Sequence, residues 1–529
     1  MGLYKNLFKQ TAIYGLATVV PRMFSFLLVP LYTDLLPKAE YGKVSIIFAY
    51  MIFFNVILAY GMETAFFRFY NKETNKNSVV ETTSISIFWT SISFLFLSLL
   101  FQNTLSLWSG IAEQYINYTI WILVLDALVI VPFSKLRVNQ QPIKYAIIKI
   151  GNVAVNLFLS LFFLSYLPAI AESNSDSILR SLYLEDFQIG YIFVSNIVAS
   201  LLTFILLSPN YFKLKWHFDY SLWKRMMQYG MPIMVAGIAF AINEQFDKIL
   251  LGYLLPPDIA DAEVGVYSAC YKLGLFMVLY RTAYTLGIEP FFFSHSDSKD
   301  APQTYATITK YFVIFGSFIL LSVIVFADIL KLIMIRDESY WEAMKVVPLI
   351  ILANFFLGIY TNLSVWYKLI DKTHIGAYIS IVGAIITLIL NYLLIPTMSY
   401  YGSAIATIAA YGSMMTISYY FGNKYYPIPY DTNKIFLYLL ISVGFSAVSF
   451  YGFRENYYVG ITLLLLFMYF IYHNEKELLI KILNRKKKLE SGLGAISCFL
   501  LYLFFFKEKK KRMPLQSGLK KSKTIQKNM

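Results

Sequence analysis

Residues 44–62 read VSIIFAYMIFFNVILAYGM, a stretch without a single charge, framed by Lys43 and Glu63. About 20 apolar residues are enough to cross the hydrocarbon core of a bilayer as a helix. The stretch therefore predicts a membrane span, and its neighbours along the chain repeat the pattern. The same rule predicts spans near 11–33, 44–62, 82–106, 115–134, 145–167, 187–208, 229–254, 265–293, 306–333, 345–369, 375–397, 402–422, 435–453 and 457–473. The fold class read from these is an all-α membrane protein with about 14 transmembrane helices. Composition points the same way. Of 529 residues 58% are hydrophobic and 14% charged, against about 25% charged in a soluble domain.

The net charge of +14 would suit a nucleic-acid partner if it formed one basic face. Instead the cations sit in short clusters between apolar stretches, as cytoplasmic loops beside anionic lipid do, so the expected contacts are membrane lipids and no nucleic acid. One set of loops carries Lys5, Lys9, Arg68, Lys72, Lys135, Arg137, Lys213, Lys215, Lys224 and Arg225. The other carries fewer, such as Lys38, Lys43 and Arg180, diluted by Asp258, Asp261 and Glu263. The positive-inside rule then puts both termini in the cytoplasm of a multi-pass plasma-membrane protein. The longest outer loop, around 168–186, has no room for an extracytoplasmic catalytic domain. No GxxxxGK[ST], HExxH or CxxC occurs, the four histidines are dispersed, and Cys270 and Cys498 form no disulfide framework. No enzyme activity, metal or cofactor is expected.

A motif recurs. Leu35-Leu36-Pro37, Tyr41-Gly42 and Gly61-Met62-Glu63 followed by Phe66-Phe67 are echoed by Leu254-Leu255-Pro256, Val264-Gly265 and Gly287-Ile288-Glu289 followed by Phe291-Phe292-Phe293. Six predicted helices separate the copies, so both run in one direction. This predicts two parallel six-helix bundles, 1–215 and 216–425, related by a pseudo-twofold axis along the membrane normal. Two further helices would occupy 426–488, and a basic tail of unassigned role 489–529.

An ionisable residue at mid-membrane costs roughly 2.5–3.5 kcal/mol on insertion scales and is a functional-site hypothesis by default. Arg22 follows Pro21, which should kink its helix. Arg68, Lys272 and Arg281 are further candidate cavity cations, with Arg68 close enough to the cytoplasm to snorkel. Lys272 and Arg281 stand nine residues apart, about 180° around an ideal helix, so they share a cavity only if that helix bends. Glu63, Asp126, Glu244, Asp247 and Glu289 are candidate coupling or gating acids. Glu244 and Lys248 are spaced to neutralise each other as an i,i+4 pair. Arginines facing a desolvated cavity suit a phosphate, through forked charge-assisted hydrogen bonds.

Phe26-Leu27-Leu28-Val29-Pro30-Leu31-Tyr32-Thr33 with Glu40-Tyr41-Gly42, Gly61 to Arg68, Asp247 to Gly252, Gly265-Val266-Tyr267 and Arg281 to Phe293 resemble the polysaccharide-biosynthesis membrane proteins. These are the O-antigen and capsule repeat-unit flippases of the multidrug/oligosaccharidyl-lipid/polysaccharide exporter superfamily. The resemblance covers about residues 5–480. It implies two bundles rocking around a central cavity that passes a polyprenyl-pyrophosphate-linked oligosaccharide to the outer leaflet of a bacterial membrane, beside other polysaccharide assembly proteins. The tail departs from the usual family ending. Two other readings stand beside it: a cation-coupled multidrug exporter of the same superfamily, which Asp126 would suit, and a membrane glycosyltransferase or polymerase, which would need an outer catalytic loop.

Overall fold

The computed structural model describes residues 2–173, 178–294, 296 and 298–487. The basic tail and Cys498 lie outside the described residues. Fourteen long helical segments follow one another across the described residues. They are α1 Gly2–Leu35, α2 Lys38–Lys72, α3 Lys76–Leu100, α4 Glu113–Val138 and α5 Pro142–Ser173. Next come α6 Gln188–Phe212, α7 Tyr220–Leu254, α8 Pro257–Glu289, α9 Ala301–Val325 and α10 Glu338–Leu369. The series closes with α11 Thr373–Met398, α12 Tyr400–Tyr425, α13 Thr432–Gly452 and α14 Tyr457–Lys476. Residues up to Asn474 form one compact unit. The second unit begins at Glu475, and of it the helix to Lys487 is described.

Thirteen of the segments are long and apolar enough to span a membrane. The fourteenth, α12, is too rich in Gly, Ser, Thr and Tyr. Its small residues Gly402, Ser403, Ala404, Ala406 and Thr407 are buried instead, with Gly402 against the backbone of Leu394 in α11. Each expected span falls on one of these helices, and no strand occurs among the described residues. The expected ends were less accurate. α2 passes through a break at Tyr60 and Gly61, both at positive φ, and continues to Lys72. That extension is amphipathic, so an apolar window stops short of it. α1 is assigned as one continuous helix through Pro21 and Pro30.

The two copies of the repeated motif meet. A β-carbon on Gly42 would come within 1.8 Å of the carbonyl oxygen of Asp261, and one on Gly265 within 1.9 Å of that of Lys38. The contact is reciprocal: each glycine receives the carbonyl four residues before the other. Only glycine allows two helix backbones this close. Around this crossing Lys38 pairs with Glu342 at 2.5 Å, Lys43 with Asp261 at 3.8 Å and Arg336 with Asp34 at 3.2 Å. Tyr340 donates to the carbonyl of Leu36. A second correspondence lies at the far ends of the two motif copies, where Glu63 pairs with Arg137 at 2.8 Å and Glu289 with Lys368 at 2.6 Å. The two glutamates end the two copies of the motif, and each is tied to the end of the helix two spans on.

α7 is held from both sides. Its first turns lie on the first half of the chain: Trp223 donates to Ser86 at 2.9 Å, Arg225 pairs with Glu73 at 2.7 Å, and Gly230 meets Gly61 backbone to backbone. Beyond Pro232, Asn243 joins a buried neutral network in the second half. Asn243 donates to the Ser380 carbonyl, Thr387 to Asn243, Asn391 to the Thr387 carbonyl and Ser403 to Asn391.

The hairpin of α13 and α14 docks on α9 through Tyr438, Leu464 and Phe467 against Ile314, Leu321 and Val325. At the turn between α13 and α14 Arg454 chelates Asp328, with Nη2 to Oδ1 at 2.8 Å and Nε to Oδ2 at 3.1 Å, and Lys331 adds a contact at 2.7 Å. Burial alone would push Asp328 up, but the hydrogen bonds from Arg454 and Lys331 outweigh it and hold the carboxyl below its ordinary range. A lowered carboxylate stabilises the fold above its unfolded-state pKa, and that stabilisation fades as pH falls through the folded value. Arg454→Ala is therefore expected to lower the thermal midpoint of the purified protein at pH 7, by about 1–3 kcal/mol of stability. The difference should shrink as the medium is acidified through the carboxylate range. A constant difference across that range would assign the effect to packing.

Candidate functional site

α8 is not one regular helix. Residues Lys272–Gly274 form a 3-10 turn between the α-helical stretches Pro257–Tyr271 and Leu275–Ser294. A 3-10 turn within a span changes the angular phase of the residues beyond it. The 180° separation expected for Lys272 and Arg281 on an ideal helix therefore does not apply. Lys272 opens this turn with an exposed side chain.

Seven residues beyond the turn, Arg281 is mostly buried, at 13% exposure, and its Nη2 lies 3.3 Å from Oε1 of Glu244 on α7, itself 28% exposed. Its neighbour Thr282 accepts a 2.6 Å hydrogen bond from Nη1 of Arg22 on α1. α1 and α8 thus bring Arg22, Arg281 and Glu244 into one group drawn from both halves of the chain. Among the described residues no carboxylate stands within ion-pair distance of Arg22 or Lys272.

The seam that carries this group is loose. Along it Gly15 faces Leu286 at ordinary contact distance and Phe26 meets Phe276 edge-on at 5.9 Å. Leu16, Met23 and Leu27 of α1 stay exposed. The α2–α7 seam is tight: a β-carbon on Gly237 would come within 2.9 Å of Val56, one on Gly252 within 2.7 Å of Ile46, and Phe53 packs on Phe246 at 5.1 Å.

The other candidate residues lie elsewhere. Arg68 stacks on the ring of Tyr229, 4.2 Å from its centroid, beside the Gly61–Gly230 contact. Glu63 and Glu289 are taken by Arg137 and Lys368. Asp126 accepts from Ser200 at 2.8 Å and lines a separate cavity of about 300 Å³ with Asn55, Lys149, Asn152 and Thr203. Asp247 is buried against Lys248 at 3.0 Å and accepts from Tyr267 at 2.8 Å. The expected Glu244–Lys248 pair does not form. The rings of Tyr267 and Tyr271 on α8 draw Lys248 toward Asp247, with its ammonium 4.3 Å from the Tyr271 centroid, while Arg281 takes Glu244.

Two features escaped the sequence reading. Lys149 is a cation inside an apolar span, and the charge-in-membrane criterion that singled out Arg22 applies to it equally. The Asn243–Thr387–Asn391–Ser403 network is neutral, and no hydropathy or charge criterion separates it from other polar residues in helices. Among the described residues no group of three or more His, Cys, Asp and Glu side chains is placed to hold a metal.

With this geometry in view the comparisons are informative. A family model described as polysaccharide biosynthesis protein matches residues 7–293, and one described as MatE matches residues 232–393. Among curated proteins no sequence match is found. The fold is similar to that of lipid II flippase MurJ in an inward closed conformation, with 14% identity, a TM-score of 0.68, and coverage of 88% of this chain and 99% of that one. It is also similar to an inward-facing multidrug resistance MATE family transporter of the MOP superfamily, with 12% identity, a TM-score of 0.57, and coverage of 78% and 94%. A MOP superfamily transporter from Pyrococcus furiosus, described as having a binding pocket of reverse polarity, matches at 11% identity and a TM-score of 0.55, over 79% and 95%. At these identities the likeness speaks for the fold.

Proposed function

Because the chain belongs to the polysaccharide biosynthesis protein family, we propose that it moves a polyprenyl-diphosphate-linked oligosaccharide from the cytoplasmic to the outer leaflet of a bacterial plasma membrane, for surface polysaccharide assembly. The observation that carries the reading is the group of Arg22, Arg281 and Glu244 beside the loose α1–α8 seam. Arg22 has no acid partner at ion-pair distance among the described residues, and a cation so placed in a span is a functional-site hypothesis by default. A diphosphate would accept forked hydrogen bonds from both arginines. An apolar seam beside them would leave the polyprenyl chain in lipid while the headgroup enters between the halves. Residues 1–215 and 216–425 act as the rocking bundles, and their outer closure is the Gly42–Gly265 crossing.

A diphosphate leaving an inside-negative cell moves down the electrical gradient, gaining about 2.3 kcal/mol per charge per 100 mV. The empty cationic site is then drawn back toward the cytoplasm. In reconstituted vesicles with a clamped potential, outward movement of a diphosphate-linked oligosaccharide is expected to follow the potential and to ignore imposed proton and sodium gradients. Transport that tracks an ion gradient and ignores the potential would overturn this account of the energy source.

The MatE match and the Asp126 cavity favour a second reading, cation-coupled export of a drug-like molecule. Efflux of a cationic dye by the same vesicles, lost in Asp126→Asn, would support it over the first.

A further inference from the structure

The cavity that holds Asp126 also holds an amine. Lys149 of α5 lines the same space of about 300 Å³. Its ammonium lies 4.4 Å from the centroid of the Phe133 ring, which lines the cavity too. No hydrogen bond or ion pair reaches that ammonium from the described residues. Ser200 fills one oxygen of Asp126, and the other is open. Both charged side chains are half-buried.

The rest of the lining is suited to a small hard cation. The Asn152 amide donates to Thr203 at 3.0 Å, which leaves its carbonyl oxygen unused, and the Asn55 amide has no hydrogen bond among the described residues. Together with Asp126 and the Thr203 hydroxyl these groups give the cavity four oxygen-bearing side chains from α2, α4, α5 and α6. Hard cations take oxygen ligands, and a single carboxylate among them matches a single positive charge. Lys149 already supplies that charge. With one carboxylate and one ammonium the lining is neutral. A dissolved cation would share the cavity with a like charge, in surroundings where Coulomb forces are several times stronger than in water.

We infer that Lys149 is a tethered counter-cation for Asp126 and denies this cavity to sodium. It is a specificity-determining residue: the place a coupling ion would take is held by a charge that cannot leave. This gives a physical reason for transport to ignore an imposed sodium gradient, and it bears against sodium coupling at Asp126. The cavity is separate from the Arg22–Arg281 group, so the inference stands or falls independently of what that group carries.

The test is the thermal midpoint of the full-length protein in detergent, in sodium chloride and in N-methyl-D-glucamine chloride at equal ionic strength. The wild type is expected to melt alike in both. Lys149→Met keeps the length of the side chain and removes its charge. In that variant sodium should raise the midpoint saturably, by about 2–4 °C, and adding Asp126→Asn should abolish the rise. Lys149→Gln is the second variant, used if methionine disturbs the packing on Phe133. No sodium stabilisation in either Lys149 variant overturns the inference. A rise that survives Asp126→Asn overturns it as well, because the ion then binds elsewhere. So does a sodium-dependent rise in the wild type that is lost in Asp126→Asn, since a free cation would already occupy the site. Failure of the diphosphate site is read separately, from the arginine variants.

Discussion

Arg281→Ala is expected to reduce translocation by at least about a hundredfold while leaving the protein inserted in the membrane, and Arg22→Ala to reduce it by less. A charge-assisted hydrogen bond contributes about 1.5–3 kcal/mol, and each 1.4 kcal/mol is tenfold in affinity. Losing two such bonds from one guanidinium therefore reaches a hundredfold. Arg281→Ala does more than remove a donor. It strips Glu244 of its only ion-pair partner among the described residues and leaves an unpaired carboxylate beside the proposed anion site. Arg22 donates to the neutral Thr282 and has no ion pair among the described residues, so its loss leaves no such repulsion. Arg281→Lys should recover little, since an ammonium is a point charge without the planar fork. The measurement is oligosaccharide appearing in the outer leaflet of vesicles per inserted protein, checked against surface polysaccharide in cells. Normal export by either alanine variant would make that arginine a structural residue.

Gly42→Leu should hold the outer face open. Its β-carbon alone would enter the Asp261 carbonyl at 1.8 Å. No rotamer relieves a clash that begins at the β-carbon, so the helices must part. Overpacking of a tight contact costs roughly 1–3 kcal/mol or more. The surrounding ion pairs are largely exposed and contribute at most about 1 kcal/mol each, too little to force closure. Thr33 is fully buried behind this crossing. With Cys270 and Cys498 replaced by serine, Thr33→Cys should resist a membrane-impermeant maleimide added outside and become reactive when Gly42→Leu is introduced. Gly265→Leu should do the same, because the contact is reciprocal. Gly151→Leu, where a β-carbon meets nothing within 4 Å, is the control. If Thr33→Cys stays protected in both glycine variants, the crossing is not the outer gate.

The helices were legible because the hydrocarbon core imposes one length and one polarity on every span. Even α12, whose Gly, Ser, Thr and Tyr lower its apolarity, fell on an expected span, 402–422. Repeats were legible in outline through short motifs, though nothing in Tyr41-Gly42 and Val264-Gly265 said that the two glycines would touch. Site residues were legible as a type and not as pairs. Arg22 and Arg281 stood out as cations in apolar surroundings. Their meeting depends on α1 lying against α8, a tertiary fact without local signature. The Glu244–Lys248 expectation failed for the same reason: spacing along one helix ignores the tyrosines of the next. The 3-10 turn at Lys272 has no Pro or other marker at its start to announce it.

The double anchorage of α7 has an elastic consequence. Trp223 and Arg225 fasten its first turns to one body, and Asn243 fastens its middle to another. When two bodies joined by a rod turn apart, the rod flexes where its cross-section is weakest. In a helix that is where a backbone bond is missing, and Pro232 has no N–H to offer the carbonyl of Gln228. Curvature gathers there, between the two anchors, and the network around Asn243 is spared the strain. In the proposed rocking of the two bundles, such a helix would store deformation like a leaf spring and return it on closure.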